Sequence, residues 1–261
     1  MKKSLSLILA LFALNAQAAG PTPYFDGVMI GGAIGATAAQ FQLKENSTHT
    51  FVFADTLTRT DKINLFANTP MGLVSLGYSY QADNAFTVGG YFTAGYSDAK
   101  NTNQSQYTVD ELDFALITAS TETILQLTND FALLLKGGYV WDRTTHFYGL
   151  MGPRWGNFKS TVKINDSHTQ IRTSEISGGA SSTSSSYVLG YAFGLGVQQL
   201  LTPRYSWALE YNYTTYGSLS VPTLEGEYEQ NGVPDVNTSF TYHPSAKAMT
   251  NTLMFMIAYR L

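Results

Sequence analysis

The end of the chain, from Leu253 to Leu261, alternates between two kinds of side chain. One parity is wholly apolar, and the other tolerates a charge at Arg260. Successive side chains of a β-strand point to opposite faces, so this segment has one face suited to hydrocarbon and one suited to a polar interior. A strand of a soluble β-sandwich is the alternative interpretation. Recurrence of the same pattern upstream, at strand spacing, decides between the two.

The start of the chain has the three parts of an export signal. Lys2 and Lys3 form a short cationic start, an apolar run extends from Leu5 to Leu14, and Ala-Gln-Ala at 16–18 is a small-residue cleavage site. We predict a signal peptide over residues 1–18 and a single exported domain over residues 19–261. No other segment approaches the roughly 20 apolar residues of a spanning helix. A polytopic helical membrane protein is therefore excluded.

Charge and cysteine content narrow the class further. The formal net charge of the chain is −4, and removal of Lys2 and Lys3 with the signal makes it −4 − 2 = −6. An acidic exported chain argues against nucleic acid as a partner. The chain contains no cysteine, so an exported fold has to hold together without disulfides. Closure of a β-sheet on itself would achieve that.

Alternating segments recur along the chain and predict eight strands. We place them at 24–43, 71–80, 85–97, 112–127, 131–143, 187–199, from 205 onward, and 249–261. The connections alternate between short turns and long polar stretches. The turns are at 81–84, 128–130 and 201–203, and the long connections are at 44–70, 98–110, 144–186 and 218–245. This asymmetry is typical of transmembrane barrels with periplasmic turns and extracellular loops, and it places both termini in the periplasm.

The strand parities predict which side chains face the lumen and which form aromatic girdles at the membrane surfaces. Four charged residues are predicted to point inward: Glu122, Lys136, Glu210 and Arg260. Aromatic residues near the strand ends are predicted to face lipid: Phe131, Tyr139, Trp141, Tyr205, Trp207, Tyr213 and Tyr259. Phe131 and Trp141 are ten positions apart, which matches the ~25 Å height of the apolar band of a barrel with tilted strands.

The predicted turn at 128–130 also gives a specific pairing. If Leu127 lies opposite Phe131, Glu122 falls directly across from Lys136, and cross-strand partners share a face. We therefore expect an internal ion pair between Glu122 and Lys136. Two separate lumen charges linked by water are the alternative.

The mature chain, from about Tyr24 onward, has eight alternating strands, a glycine-rich first strand after the signal and the terminal run from Phe255 to Leu261. In these features it resembles the small OmpA/OmpX/opacity-type outer-membrane barrels. The resemblance implies an all-β, eight-stranded antiparallel up-and-down barrel with long extracellular loops, located in the outer membrane. It also implies outer-membrane lipid and the barrel-assembly machinery, recruited through the C-terminal strand, as partners. Many such barrels end in phenylalanine, whereas this chain ends in Leu261.

Three classes of function stay open from the sequence: a plugged surface barrel whose loops bind or shield, a narrow porin for small solutes, and a lipid-modifying enzyme. We favour a monomeric, non-enzymatic barrel with a largely plugged lumen, whose long surface loops serve structural or surface-interaction roles such as binding an extracellular ligand. The reason is that the inward set mixes small residues with charges that would fill an eight-stranded interior. The four histidines, at 49, 146, 168 and 243, fall in predicted loops, and no group of residues has metal-ligand spacing. We therefore expect no cofactor or metal. A serine–histidine–aspartate grouping near His146 and Asp142 is not ruled out by spacing alone.

Overall fold

The computed structural model describes residues 25–51, 54–82, 85–111, 115–141, 144–170, 175–230 and 233–261. The predicted signal peptide lies outside these residues. The described chain forms strands β1 (Gly27–Phe51), β2 (Ala54–Gln81), β3 (Phe86–Glu111), β4 (Ala115–Val140), β5 (Thr145–Gln170), β6 (Glu175–Leu200), β7 (Tyr205–Leu219), β8 (Leu224–Gln230) and β9 (Val233–Arg260). None of the described residues belongs to a helix long and apolar enough to cross a membrane.

Eight of these strands close into a ring. Strands β1 to β7 pair in chain order, β7 pairs with β9, and β9 pairs with β1, each time antiparallel. Strand β8 is a short addition that pairs with β9 and β6 beyond the end of β7. The predicted eight-stranded antiparallel barrel is confirmed. The predicted turns at 81–84 and 201–203 also connect neighbouring strands, β2 to β3 and β6 to β7, at the end of the barrel where β1 begins and β9 ends.

The strands are much longer than the sequence pattern predicts. The predicted long connections 44–70, 98–110 and 218–245 are wrong, because strands β1, β2, β3, β8 and β9 occupy most of these residues. Two further segment predictions are wrong. Strand β5, Thr145–Gln170, lies inside the predicted connection 144–186. The predicted strands 112–127 and 131–143 are one strand, β4, so there is no turn at 128–130. The pairing of β4 with β5 shifts between Leu127 and Asn129, which marks a β-bulge. A bulge inserts an extra residue, so the residues after it face the opposite side of the sheet from the expected one. In the sequence, this break in the alternation of apolar and polar residues resembles a turn.

Large apolar side chains form a belt around the outside of the lower barrel, which is the part nearest the end where β1 begins and β9 ends. On β6, for example, Tyr187, Leu189, Tyr191, Phe193 and Leu195 are all exposed. Above the belt the outer face becomes polar, as at Ser181, Thr183 and Ser185 on the same strand. A 26-residue strand such as β5 is about 85 Å long and rises about 65 Å at barrel tilt, against an apolar band of about 25 Å. Much of the barrel therefore projects beyond the membrane.

The interior also differs between the two levels. In the belt region, Lys136, Glu210 and Arg154 point inward beside two buried apolar clusters, around Met254 and around Leu150. Above the belt, the buried residues form two further apolar clusters, around Phe158 and Phe240. The outer face is thus apolar only in the lower part, whereas buried apolar side chains occur at both levels. The upper barrel is organised like a water-soluble β-barrel with its own hydrophobic core.

The register of β5 and β6 above the belt can be tested by cysteine cross-linking. Thr161 and Thr183 are directly paired, with their hydroxyl oxygens 3.0 Å apart, and the chain has no cysteine of its own. The double variant Thr161→Cys/Thr183→Cys is expected to form a disulfide in the folded protein, because directly opposed residues meet the required separation. Mobility on non-reducing gels after mild oxidation measures it.

The matched control is Thr161→Cys/Ser185→Cys, which is displaced by two residues from the observed register. It should cross-link far less. Equal cross-linking of the two pairs would contradict a continuous β5–β6 ladder and favour the loop predicted from the sequence.

Candidate functional site

A network of polar side chains occupies the lumen inside the membrane belt. Lys136 of β4 donates a hydrogen bond to the Gln198 side chain (2.8 Å), and its ammonium group lies 3.7 Å from the centre of the Tyr148 ring. The Tyr148 hydroxyl in turn donates to Glu210 of β7 (3.0 Å). Tyr91 of β3 donates to the same carboxylate, at 3.0 and 2.9 Å. Five strands thus hold one buried cation and one buried anion with an aromatic ring between them.

Glycine makes room for this arrangement. Gly196 is paired directly with Tyr148 across β5 and β6, and a Cβ atom at this position would lie 2.4 Å from the Tyr148 ring. A small side chain here would therefore push the ring away from Glu210. The remaining space at the network is a cavity of only about 30 Å³, lined by Lys136, Tyr91 and neighbouring side chains. A volume of that size is sufficient for about one water molecule.

The start of the described chain covers the lower end of the lumen, where β1 begins and β9 ends, which the sequence predicts to be the periplasmic end. The Phe25 side chain is buried and packs on His146, with ring centres 5.0 Å apart. His146 is hydrogen-bonded to Thr87 (2.6 Å) and is 1% exposed. The prediction that His146 lies in a loop near the barrel rim is wrong, because it is an inward residue of β5. It is enclosed in the lumen rather than presented to solvent.

An ion pair sits at the top of the membrane belt. Arg154 of β5 donates two hydrogen bonds to Asp130 of β4, at 3.1 and 2.8 Å, and both side chains are buried. The two hydrogen bonds compensate the burial of both charges, and removal of either partner would leave an uncompensated buried charge. The pair lies directly under the apolar cluster that begins with Phe158.

That apolar cluster crosses the lumen and is called the plug here. Seven of the eight barrel strands contribute buried residues, and Val188 of β6 packs against them. Its members are Ala39, Phe41, Leu43, Leu65, Ala67, Ala99, Leu125, Leu127, Phe158, Tyr216, Leu219, Ala246 and Ala248. Phe158 has edge-on ring contacts with both Phe41 and Tyr216. Buried apolar side chains from around the ring therefore meet in the lumen at this level.

A second polar group lies above the plug. The buried carboxylate of Glu45 accepts hydrogen bonds from Thr123 (3.1 Å), Asn103 (3.2 Å) and Ser105 (3.4 Å). Thr123 also shares a hydrogen bond with the Tyr242 hydroxyl (3.0 Å). Burial raises the pKa of Tyr242 well above its usual value, and the neighbouring Glu45 adds to the rise. Hydroxyl and amide donors therefore satisfy Glu45 without a cation.

The predicted ion pair between Glu122 and Lys136 is wrong. Both residues belong to β4, and the bulge between them turns Glu122 outward and Lys136 inward. Glu122 instead pairs with Lys163, directly opposite on β5, at 2.9 Å. The hydrogen bond from Lys163 lowers the pKa of the Glu122 carboxyl. Glu122 is thus a partly exposed residue of the upper barrel and not a lumen charge.

Of the other predicted lumen charges, Glu210 is buried in the network and Arg260 is half-buried at the periplasmic end. The predicted aromatic residues lie on the outer face. Phe131 stacks on Trp155 and contacts Tyr187 near the upper edge of the belt, where Tyr213 also lies. Toward the lower edge are Tyr139, Trp141, Trp207, Tyr205 and Tyr259, the last two with ring centres 5.0 Å apart.

Sequence reasoning missed Arg154, Asp130, Glu45, Tyr91 and Tyr148. Arg154 and Tyr148 lie in the segment taken as a loop. A signal was present, since Tyr148, Leu150, Phe158, Val162 and Ile164 share one parity in that segment. That alternation is typical of a strand with one buried face.

The coupling of Lys136 and Glu210 through Tyr148 can be measured by a double-mutant cycle. Lys136→Met alone leaves Glu210 as an uncompensated buried carboxylate, so it is expected to cost more stability than Lys136→Met/Glu210→Gln combined. Urea unfolding in lipid should give a coupling of about 0.5–3 kcal/mol, the range for residues in one network. A coupling of zero within error would mean that the two charges act independently.

The pairing of Glu122 with Lys163 predicts a pH effect. The folded pKa of Glu122 is lowered, so its contribution to stability is present above its unfolded pKa and is lost as pH falls through the folded value. NMR titration of the Glu122 carboxyl should show the lowered pKa, and Lys163→Met should restore the ordinary one. Lys136→Met is the control and should leave the titration unchanged. If Lys136→Met raised the pKa of Glu122 and Lys163→Met left it unchanged, the result would favour the pairing of Glu122 with Lys136 that the sequence predicted.

Comparison with known proteins supports the assignment of the fold. Residues 4–247 match the family model described as "Outer membrane protein beta-barrel domain". No curated protein sequence matches the chain.

The solved structures that this chain matches include the following three. Ail, the attachment invasion locus protein of Yersinia pestis, is 15% identical over 87% of this chain and 99% of its own, with a TM-score of 0.29. The outer membrane protease OmpT of Escherichia coli is 9% identical over 94% and 99%, with a TM-score of 0.36. OprG of Pseudomonas aeruginosa is 12% identical over 90% and 97%, also with a TM-score of 0.36. At these values none of them indicates what this chain binds or catalyses. The family match covers most of the chain, which therefore belongs to the outer-membrane β-barrel protein family and is a protein of the outer membrane.

Proposed function

We propose that this protein is a closed outer-membrane barrel that acts at the cell surface, in a structural or binding role, and not by passing solutes. The observation that carries the proposal is the plug. Buried apolar side chains from seven strands meet in the lumen immediately above the membrane belt. Ions and small polar solutes would have to cross this layer without water, which costs several kcal/mol per polar group.

The projecting part of the barrel supports a role at the surface. Its outer face is polar and exposed on β3 to β6, with residues such as Lys100, Gln104, Lys159 and Thr183. Its inner face is packed with apolar residues. A rigid, water-soluble extension of this kind presents its rim and walls away from the membrane, where an extracellular ligand would meet them. Folding in the outer membrane also implies the barrel-assembly machinery as a partner, recruited through the C-terminal strand.

An enzymatic role receives no support from the described residues. His146 has a hydroxyl partner in Thr87 but is enclosed beneath Phe25. His243 is exposed and lies 3.3 Å from Thr223. In the described part of the chain, neither histidine forms an ion pair with a carboxylate within 4.0 Å to complete a nucleophile–base–acid arrangement. We therefore propose a non-catalytic role.

Planar bilayer recording tests the proposal. The refolded wild-type protein is expected to show no stable single-channel steps, because the plug blocks the lumen. Phe41→Ala/Phe158→Ala removes two rings that meet in the plug and is expected to raise the leak current. Each Phe→Ala change costs about 3–5 kcal/mol, so gel mobility before and after heating has to verify that the variant is folded.

Phe66→Ala serves as the control, because Phe66 is an exposed residue of β2 on the outer face. It should leave the bilayer as silent as the wild type. Steady ohmic openings of the wild-type protein would contradict the proposal and favour a narrow porin.

A further inference from the structure

The described chain begins with a short segment that turns back across the lower end of the lumen. Gly27 is the first residue of β1, and its φ of 106° lies in a region that L side chains rarely adopt. The carboxylate of Asp26 accepts a hydrogen bond from the Gly27 amide (3.0 Å). This turn directs the preceding residue, Phe25, into the lumen, where its side chain is 2% exposed. Phe25, Asp26 and Gly27 are called the lid here.

Side-chain contacts hold Phe25 in this position. Its ring packs against the ring of His146 on β5, with ring centres 5.0 Å apart. Its backbone amide donates a hydrogen bond to the Gln81 side chain at the end of β2 (3.0 Å). Within the described part of the chain, the ladder pairing of β1 begins only at Gly27, so Phe25 and Asp26 are not part of the barrel wall. The lid can therefore move without breaking a pair of strands.

The lid rests on the lowest layer of the polar network in the lumen. His146 lies directly opposite Gln198 across β5 and β6, and the Gln198 side chain accepts a hydrogen bond from Lys136 (2.8 Å). The water-sized cavity that Lys136 and Gln198 line also borders Ser79, which is paired with Gly27 of the lid. Displacement of the lid would therefore admit water to this layer from the lower end, while the plug stays in place above it.

His146 makes the closed position of the lid less stable than burial of an aromatic ring alone suggests. Its Nε2 is hydrogen-bonded to the Thr87 hydroxyl (2.6 Å), but its Nδ1 is buried and has no hydrogen-bond partner among the described residues. A buried polar atom without a partner costs free energy that contact with water restores. Burial of the Phe25 ring thus favours the closed lid, and hydration of the His146 Nδ1 favours the open one. These opposing effects favour local opening, in which the barrel stays folded.

We propose that the lid opens and closes independently of the barrel and controls the access of water and small polar molecules to the lower lumen. With the lid open, the lower lumen is a blind pocket around Lys136 and Gln198, closed above by the plug. With the lid closed, the Phe25 ring shields this pocket from the solvent at the lower end. Conductance of the wild-type protein would contradict the closed barrel and leave the lid intact, so the two proposals fail separately.

Access to the lower lumen can be measured with a single introduced thiol, because the chain has no cysteine of its own. Ser79→Cys places the thiol at an inward, buried position directly opposite Gly27. The full chain is refolded in neutral detergent and treated with a small methanethiosulfonate reagent, and mass spectrometry gives the rate of modification. Phe25→Ala is expected to raise this rate at least tenfold, because it removes the ring that covers the lumen. Phe25→Leu retains a large apolar side chain and should stay within threefold of the unmodified lid.

Two matched controls separate the lid from a general loss of stability. Phe86→Ala removes an exposed, outward ring from the lower end of β3, so it should leave the labelling rate of Ser79→Cys unchanged. Ser160→Cys places a buried thiol on β5 two residues above Phe158 of the plug, and Phe25→Ala should not change its rate. A rise at both reporter positions would mean that Phe25 stabilises the whole barrel, and this outcome would overturn the lid.

The turn and the mode of opening give two further measurements. Gly27→Ala places a side chain at a φ of 106°, so it should displace Phe25 and raise the rate of Ser79→Cys as Phe25→Ala does. With the unmodified lid, this rate should change little with urea below the unfolding transition, because local opening exposes little surface. A rate that rises with urea as steeply as global unfolding would mean that the lid opens only when the barrel unfolds. That result, or a rate unchanged by Phe25→Ala, would overturn the proposal.

Discussion

Closure of the sheet between β1 and β9 is the constraint on which the rest of the structure depends. Residues Met29 to Thr50 pair with Arg260 to Ser239 without interruption, so the first and last strands have no free edge. A chain without cysteine has no disulfide to hold an open sheet, and hydrocarbon offers no water to unpaired backbone groups. The outward belt, the lumen network and the plug all depend on a closed ring.

Once the ring is closed, its eight-stranded interior is filled in layers. The network around Lys136 and Glu210 is followed by the pair of Arg154 and Asp130, then by the plug, and then by the group around Glu45. The charged groups of these polar layers each have a hydrogen-bond partner on another strand, which makes a buried charge tolerable. The plug separates the two lower polar layers from the group around Glu45. Glycines such as Gly196 leave space for the larger aromatic rings in the lumen.

The sequence predicted the barrel well where one face meets lipid, because a row of apolar residues such as Leu189 to Leu195 alternates with small ones. It failed on β5, since above the membrane the apolar parity moves to the inner face and the exposed parity becomes serine, threonine and lysine. At Leu127 to Asn129 the bulge looked like a turn, and Glu122 was assigned to the wrong face. Partners such as Arg154 and Asp130 depend on register between strands, which local composition does not encode.

The change of the outer face from apolar to polar along the strands has a consequence for how deeply the protein lies in the bilayer. A displacement outward by one pair of residues would bring belt residues such as Tyr187 into water, and a displacement inward would drive Lys159 and Ser185 toward hydrocarbon. Both movements cost free energy, so the strands define a depth of immersion as well as a fold. In bilayers of different thickness, the lipid around the barrel is expected to stretch or thin to meet the belt.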